Sequence, residues 1–442
     1  MSDDEDVRLD RRAVLAGTAA LGLSGSSTAV AKQFRTEATT DLDADTSVDW
    51  DRNAWPQVGY DAGNTNYSAD ADGPTGELTG EWVFEGEADL VERPIVANDT
   101  VYVVSGWPAS GETLHALDAE SGEEQWSADL PPYQEGYSFN ASGLAVADGV
   151  LYASREKRTL AFDAAKGTKV WSVEHGGENL TVTDEYLVTS GDRTRVVSRA
   201  DGSVQWKRDV RGPAVVADGK VIVSKSTDGD GGTVYAYALE DGELVWNRDS
   251  FSKDIAGITA TESRLFVATT RTLYIYEFDG WELAGKQEYP ESDVTEPTVG
   301  GGAVYVTIDG TLHAYDAKTG EERWHVQVGT NTGRPTVAGD ILYYSVDKKD
   351  HSDSIDSDAH DEVHVRDPAT GDLIAERDFP DVTGERDDGD SQIQGPLMPA
   401  YGRIYTASET YVTVFSEQSK SDDSDSGNQD DGSDDGDSKG DC

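Results

Sequence analysis

Residues 314–324 of the chain read AYDAKTGEERW, and the same sequence pattern returns three more times with few changes. The other close copies are ALDAESGEEQW at 116–126, AFDAAKGTKVW at 161–171 and AYALEDGELVW at 236–246. Weaker copies end at Trp206, Ala284 and Ala375. Because successive copies lie about 40 residues apart, the period is that of a four-stranded propeller blade. Two-residue alternation and glycine turns exclude helical repeats of similar length.

A second column of large residues follows the first turn of each repeat at a constant offset. Its members are Tyr102, Tyr152, Val188, Ile222, Phe266, Tyr305, Tyr343 and Tyr405. All of them are β-branched or aromatic, and such residues fill the space between stacked sheets. We therefore expect them to form core, and we assign them no chemistry.

The strand count of the repeats predicts a closed ring. Eight inner strands can be counted, but the eighth unit, 395–415, lacks an outer strand, and an unpaired strand around Trp82 precedes the first unit. Pairing these two ends closes the ring and removes the exposed sheet edge. The predicted fold is all-β: a monomeric, eight-bladed β-propeller of four-stranded blades over residues 80–417.

The repeat resembles the tryptophan-docking repeat of the PQQ-like (quinoprotein) propeller superfamily, and the segment WPQVGYDAGNTNYS at 55–68 looks like the leader of haloarchaeal secreted propellers. The resemblance implies that each tryptophan packs on the next blade while an aspartate braces the turn. The matching residues are Trp126, Trp171, Trp206, Trp246, Trp324, Asp118, Asp163, Asp316 and Asp367. Blades 3 to 5 lack the aspartate.

The same resemblance raises two classes of function. Quinoprotein dehydrogenases of this superfamily hold PQQ beside two adjacent cysteines, with Ca²⁺ on Glu, Asn and Asp. This chain has one cysteine, Cys442, and no nucleophile elbow, HExxH or phosphate-binding loop, so we assign no catalytic residue. We expect a binding or scaffold module, which resembles at fold level the propeller lipoprotein of bacterial outer-membrane assembly. A PQQ- and calcium-dependent oxidoreductase is the alternative.

The N-terminal residues 1–31 are predicted to be a twin-arginine export signal. Arg11 and Arg12 precede a mildly apolar stretch that ends in Ala29-Val30-Ala31, a small-x-small cleavage site. Cleavage would leave no stable membrane span and an extracellular or cell-surface protein, whereas a retained segment would act as an anchor. Residues 32–79 are predicted to be a leader that packs on the propeller, and 418–442 a disordered acidic tail.

The chain is strongly acidic, with 86 Asp and Glu against 36 Lys and Arg and a formal net charge of −50. The tail, 421–442, contributes only −8, so about −42 remains on the rest of the chain. A field of this sign repels nucleic acid, which is therefore excluded as a partner. Acidity spread over every blade is typical of a halophilic protein, in which concentrated salt screens the repulsion.

The connections between strands differ in length, and the long ones indicate a binding face. They are 106–113, 227–233 and 347–362 between second and third strands, and 131–142 and 380–394 between blades. Strands alternate in direction, so all five emerge at one end of the ring. In repeat folds the face that collects insertions is often the binding face, here for a protein or another cell-envelope ligand.

The longest insertion carries candidate metal ligands, namely Asp347, Asp350, His351, Asp353, Asp356, Asp358 and His360. Carboxylates suit Ca²⁺ and imidazoles suit divalent transition metals, so this loop could hold either. The alternative is a hydrated acidic loop, since acidic runs are common in such a chain. His115, His313 and His364 share one offset in three repeats, which predicts a structural role for them instead of a common site.

Overall fold

The computed structural model describes residues 53–86, 93–107, 111–131, 143–155, 157–227, 231–290, 294–329, 333–346, 362–379, 397–407 and 411–418. These residues form strands and turns. Among them there is no helix with the length and apolar character that crossing a membrane requires.

The described strands form eight four-stranded blades, as the sequence predicts. Two strands precede the first blade: β1 (Tyr67–Ser68) adds a parallel fifth strand to the sheet of blade 7, and β2 (Leu78–Glu85) is the fourth strand of blade 8. Blade 1 contains β3 (Ile95–Ala97), β4 (Thr100–Trp107), β5 (Gly111–Asp118) and β6 (Glu124–Leu130). Blade 2 contains β7 (Gly143–Ala147), β8 (Val150–Arg155), β9 (Arg158–Asp163) and β10 (Lys169–Val173). Blade 3 contains β11 (Asn179–Val182), β12 (Tyr186–Ser190), β13 (Thr194–Ser198) and β14 (Val204–Arg208).

The remaining blades repeat this arrangement. Blade 4 contains β15 (Ala214–Ala217), β16 (Lys220–Thr227), β17 (Gly231–Ala238) and β18 (Leu244–Phe251). Blade 5 contains β19 (Ile255–Ala260), β20 (Arg264–Thr269), β21 (Thr272–Glu277) and β22 (Leu283–Glu288). Blade 6 contains β23 (Thr298–Gly300), β24 (Ala303–Ile308), β25 (Thr311–Asp316) and β26 (Glu322–Gln327). Blade 7 contains β27 (Thr336–Ala338), β28 (Ile341–Val346), β29 (Glu362–Arg366) and β30 (Leu373–Asp378), and blade 8 contains β31 (Met398–Ala400), β32 (Arg403–Ala407) and β33 (Tyr411–Glu417).

Strand β2 is the outer strand of blade 8. It runs antiparallel to β33, with Leu78 opposite Glu417 and Glu85 opposite Tyr411. The predicted closure of the ring by the strand around Trp82 is therefore confirmed. Because β2 pairs with β33, the outer edge of β33 is covered and blade 8 has four strands like the other blades.

The predicted core column lies between the blades, and none of its eight residues is more than 2% exposed. Its tyrosines also take part in contacts between neighbouring blades. The Tyr102 hydroxyl and the Trp126 indole N–H both donate to the Ala164 carbonyl of blade 2, at 3.3 and 3.0 Å. Ala164 directly follows the repeat aspartate Asp163. Two aromatic side chains of one blade therefore donate hydrogen bonds to a single turn of the next blade.

The turn that receives the tryptophan is built by an aspartate and a glycine. The Asp163 Oδ1 atom accepts backbone N–H groups of Ala165 and Lys166, both at 3.1 Å. Gly167 adopts a φ of +64°, and a Cβ there would lie 2.5 Å from the Trp126 ring. Glycine therefore serves both the turn conformation and the close approach of the indole. The equivalent aspartates that accept such bonds are Asp118, Asp316 and Asp367.

Blade 5 departs from this docking pattern. Trp246 of blade 4 stacks on Trp281, with ring centroids 4.4 Å apart and planes inclined by 6°. The sequence prediction of Ala284 at the tryptophan position is wrong by one residue: Gly285 lies opposite Ile275 as Trp324 lies opposite Ala314. A Cβ on Gly285 would lie 3.0 Å from the Cα of Gly320, which is the glycine of the next blade's turn. The junction between blades 5 and 6 therefore brings backbone against backbone in place of an indole.

Two of the lengthened connections are extended hairpins and not loops, which corrects the expectation for 106–113 and 227–233. Strands β4 and β5 stay paired as far as Trp107 and Gly111, and β16 and β17 as far as Thr227 and Gly231. The residues of these two connections continue the flanking strands. The extra length of each connection therefore adds hydrogen bonds between the paired strands. The other long connections lie largely or wholly outside the described residues, in the ranges 132–142, 347–361 and 380–396.

Candidate functional site

The leader crosses the inner strands at the centre of the ring and accepts a hydrogen bond from seven blades. The acceptors are Trp55 O for Val96 N (2.8 Å), Pro56 O for Val146 N (2.9 Å), Gln57 Oε1 for Val182 N (3.0 Å), Ala62 O for Val216 N (2.7 Å), Gly63 O for Ala260 N (2.8 Å), Thr65 O for Val299 N (2.9 Å) and Asn66 O for Val337 N (3.2 Å). Inner-strand N–H groups would otherwise face the ring centre without a strand partner.

All seven donors occupy the same repeat position, the one represented by Val96 in blade 1. In blade 8 this position is Pro399, which has no N–H to satisfy. Blade 8 instead meets both ends of the leader. Asn53 Oδ1 accepts the Tyr401 N–H at 2.9 Å, and Asp72 Oδ1 accepts the Gly402 N–H at 3.1 Å. The leader therefore makes one circuit of the ring, from blade 8 back to blade 8.

An ion pair joins the leader to blades 6 and 7. The Arg334 guanidinium donates to Glu296 Oε2 at 2.8 Å, to the Asn64 side-chain oxygen at 3.0 Å and to the Asn64 carbonyl at 2.7 Å. The Asn64 amide in turn donates to Glu296 Oε1 at 2.8 Å. Burial lowers the pKa of Arg334, and the Glu296 carboxylate opposes that shift. Both carboxylate oxygens of Glu296 and the side-chain amide of Asn64 are thus hydrogen-bonded within this group.

The leader also carries a buried carboxyl group. Asp61 is 4% exposed and accepts the backbone N–H of Thr65 at 2.9 Å and its hydroxyl at 2.6 Å. Burial raises the pKa of Asp61 to about 7, although the hydrogen bonds from Thr65 act in the opposite direction. The ring centre therefore contains an acid that can change its charge near neutral pH.

The ring-centre residues do not fit the PQQ and calcium ligands that the quinoprotein resemblance implies. Glu296, Asn64 and Asp61 are of the residue types expected for Ca²⁺, but both oxygens of Glu296 are bonded to Arg334 and Asn64. Asp61 is turned toward Thr65 within the leader. The chain's one cysteine is Cys442, so the pair of adjacent cysteines is missing. We therefore derive no reaction step through PQQ.

The three histidines at one repeat offset each have a carboxylate partner of their own. His115 Nδ1 lies 2.7 Å from Glu124 and its Nε2 lies 2.8 Å from the Ser105 hydroxyl. His364 lies 2.9 Å from Glu362 through Nε2. His313 lies 2.9 Å from Glu322 through Nδ1. The histidines belong to blades 1, 7 and 6, and the carboxylate partner of each lies in the same blade.

Two groups of potential metal ligands occur among the described residues: His313 with Glu322 and His325, and Glu362 with His364 and Glu376. The candidate ligands proposed from sequence, from Asp347 to His360, all lie outside the described residues. His325 was not predicted as a candidate ligand. It belongs to the outer strand that follows His313 and lies directly opposite it in the hairpin, beyond a bulge that shifts the register.

The sequence matches the family model described as outer membrane protein assembly factor BamB over residues 42–183, 155–252 and 230–434. The chain belongs to this family. The BamB protein of Moranella endobia is 27% identical over 286 residues, which are 60% of this chain and 64% of that protein. The quinohemoprotein alcohol dehydrogenase of Comamonas testosteroni is 24% identical over 316 residues, 62% of this chain and 38% of that protein. These matches span less than two thirds of either relative.

The fold of this BamB-family chain also resembles that of solved structures. The crystal structure of BamB from Moraxella catarrhalis superposes with a TM-score of 0.54 at 17% identity, covering 78% of this chain and 99% of that one. The resemblance to PQQ-like propellers that the repeats indicate is thus confirmed for the fold. Solved structures of both kinds, a BamB protein and a quinohemoprotein alcohol dehydrogenase, share this fold.

Proposed function

We propose that this BamB-family chain is an exported, salt-adapted propeller that binds a protein or other cell-envelope ligand through its insertion face. The insertion face is the end of the ring that carries the connections between second and third strands and between successive blades. The observation that carries the proposal is the circuit of the leader, which pairs the inner-strand donors and joins Arg334 and Glu296 at the ring centre. A ring braced in this way suits a rigid support for surface recognition.

The insertion face is where the blades differ most from one another. Blades 1 and 4 project extended hairpins there, and the described strands on either side of 132–142, 347–361 and 380–396 lead to the same end of the ring. The opposite end carries short turns with shared Asp and Gly chemistry. Variation confined to one end of a repeat fold is a mark of recognition by that end.

Export and salt adaptation rest on the sequence. Arg11 and Arg12 with the small-x-small site at residues 29–31 support the twin-arginine route, which carries folded proteins. That route suits a ring whose closing strand precedes all its blades. The net charge of −50 supports adaptation to concentrated salt, because salt screens the repulsion between the acidic side chains.

Site-specific blocking tests the face. In a Cys442→Ser background, Ser252→Cys places a single thiol in the connection between blades 4 and 5, on the insertion face. Glu240→Cys places it in the β17–β18 turn of blade 4, at the opposite end; both positions are exposed. Each variant is coupled to a bulky maleimide polymer and used to capture partners from native envelope extracts. We expect loss of capture only for the Ser252→Cys conjugate. Equal capture by both conjugates would reject the insertion face.

The oxidoreductase alternative has one observation in its favour, the similarity to a quinohemoprotein alcohol dehydrogenase. Purified protein is incubated with PQQ and Ca²⁺ in molar salt, and dye reduction is followed with alcohols and sugars. We expect no saturable activity, because the residues at the ring centre bind one another. Saturable, PQQ-dependent dye reduction would establish the oxidoreductase and overturn the scaffold proposal.

A further inference from the structure

A cluster of two imidazoles and one carboxylate lies on the two outer strands of blade 6, β25 and β26. His313 on β25 and His325 on β26 are directly opposite each other in the hairpin. Their Nδ1 atoms lie 2.9 and 3.0 Å from the same oxygen of Glu322. The three potential ligand atoms all lie within 4.8 Å of one another.

The spacing of these atoms is close to that of a metal coordination sphere. Zinc binds imidazole nitrogen and carboxylate oxygen at about 2.0–2.2 Å, so neighbouring ligands of a tetrahedral ion are roughly 3.3 Å apart. The observed separations of 2.9 and 3.0 Å need only a small expansion to admit an ion.

The first ligand is held in place by aromatic neighbours. The His313 ring stacks on Tyr315, with centroids 5.8 Å apart and planes inclined by 4°, and it also contacts Tyr289, whose centroid is 5.9 Å away. The two tyrosine hydroxyls lie 2.7 Å from each other. His313 is thus oriented by packing, whereas the His325 side chain is 61% exposed and accessible to solvent. A fixed ligand beside an accessible one favours entry of an ion.

Blade 1 contains the same arrangement with one residue exchanged. His115 lies 2.7 Å from Glu124, at the same sequence separation as His313 and Glu322, and it packs against Phe84 of blade 8 at 4.9 Å. The residue opposite His115 in the hairpin is Ser127, whose hydroxyl donates to Glu124 at 3.0 Å. Blade 1 therefore satisfies its carboxylate with a hydroxyl where blade 6 offers a second imidazole. Blades 1 and 6 share the His–Glu pair, and His325 is what distinguishes blade 6 from blade 1.

We propose that His313, Glu322 and His325 form a binding site for one divalent transition-metal ion of the zinc type. Two neutral imidazoles and a carboxylate are borderline ligands that suit Zn²⁺ and its neighbours better than Ca²⁺ or Mg²⁺. Three protein ligands leave a position for water or for a donor group of a bound partner. The site lies on the rim of the ring, on the two outermost strands of blade 6, where such a partner has access.

Titration calorimetry with Zn²⁺, in molar KCl with excess Ca²⁺ to occupy non-specific carboxylates, tests the site on untagged full-length protein. We expect one equivalent of Zn²⁺ for the parent. His325→Ser copies the residue of blade 1 and leaves only two ligands, so affinity should fall at least tenfold. Co²⁺ gives a second readout, because a tetrahedral site with nitrogen ligands shows intense visible absorption and surface carboxylates do not. A His325→Ser protein that binds Zn²⁺ as the parent does would overturn the proposal.

The converse substitution tests the geometry. Ser127→His places a second imidazole opposite His115 and recreates the trio on blade 1, so we expect a second equivalent of Zn²⁺ in this variant. His364→Ala, on blade 7, probes the competing group of Glu362, His364 and Glu376. Zinc that disappears in His364→Ala but persists in His325→Ser would transfer the site to blade 7 and refute the assignment to blade 6. Absence of any stoichiometric Zn²⁺ or Co²⁺ in the parent would refute it as well.

Discussion

The buried carboxyl of Asp61 should make the stability of the ring depend on pH in a direction opposite to that of most acidic residues. Burial raises the pKa of this group to about 7. An unfolded chain has an Asp pKa of about 3.9, so between these values the folded protein binds a proton that the unfolded chain has released. Stability from this site is therefore fully present below about pH 4 and is lost as the pH rises through about 7.

The magnitude follows from the shift. One pKa unit corresponds to about 1.4 kcal/mol, so a shift of about three units makes the ionised Asp61 cost about 4 kcal/mol above neutrality. Between about pH 5 and about pH 8.5 the cost grows by about 3 kcal/mol. Asp61→Asn keeps an oxygen that can accept the Thr65 N–H, and it cannot ionise. We expect the variant to gain about 3 kcal/mol relative to the parent across this range.

Urea unfolding in molar salt, followed by tryptophan fluorescence at several pH values, measures this difference. Asp279→Asn is the matched control, because it removes the same charge from an exposed turn. The control should run parallel to the parent at every pH. If the Asp61→Asn curve also runs parallel to that of the parent, the carboxyl is not held in its neutral form and the reasoning fails.

Three further predictions concern the edge, the charge and the docking turns. Deletion of residues up to Glu85 removes both the leader and the outer strand of blade 8 and should cause aggregation; a truncated protein as soluble and heat-resistant as the parent would disprove closure as a stabilising contact. Dilution from molar to about 0.1 M salt lengthens the Debye length from about 3 to about 10 Å, which restores the repulsion between acidic side chains. The midpoint of thermal unfolding should therefore fall. An unchanged midpoint would show that the acidic surface is not an adaptation to high salt. Gly167→Ala forces a methyl group into the Trp126 ring at positive φ and should cost roughly 2–4 kcal/mol in urea unfolding. Gly149→Ala has a similar φ but open space around it, so it should cost only about 1 kcal/mol, and equal losses would show that the indole contact is unimportant.

The architecture could be predicted from sequence because each blade repeats the same local requirements. The spacing of tryptophan, glycine and aspartate indicates the turns of one blade and its contacts with the next blade. The period of approximately 40 residues then gives the number of blades. Closure by β2 was predictable for the same reason, since one outer strand was missing and one strand was left over. The extended hairpins of blades 1 and 4 were not, because Gly and Thr near their tips are as typical of loops as of strand ends.

The ring centre and the blade 6 cluster could not be predicted in the same way. Arg334, Glu296 and Asn64 lie far apart in the chain, and Asn64 comes from a segment outside the repeats. No periodic signal links them. His325 was closer to prediction, because cross-strand neighbours in a hairpin follow from register. The bulge between Ala314 and Tyr315 shifts that register by one residue, so counting from the turn alone does not place His325 opposite His313.

Pro399 shows how the leader and the ring depend on each other. In sequence a proline inside an inner strand argues against that strand, because it lacks the donor that a ladder needs. In the structure, the backbone N–H that Pro399 lacks is the group that donates to the leader in the seven other blades. Blade 8 does not need this donor, because the circuit of the leader begins and ends there. Strand β2 starts at Leu78, shortly after the leader leaves blade 8 at Asp72. One continuous N-terminal segment therefore satisfies the centre of the ring and then closes its edge, so the two contacts stabilise a single folding unit and not two separate ones.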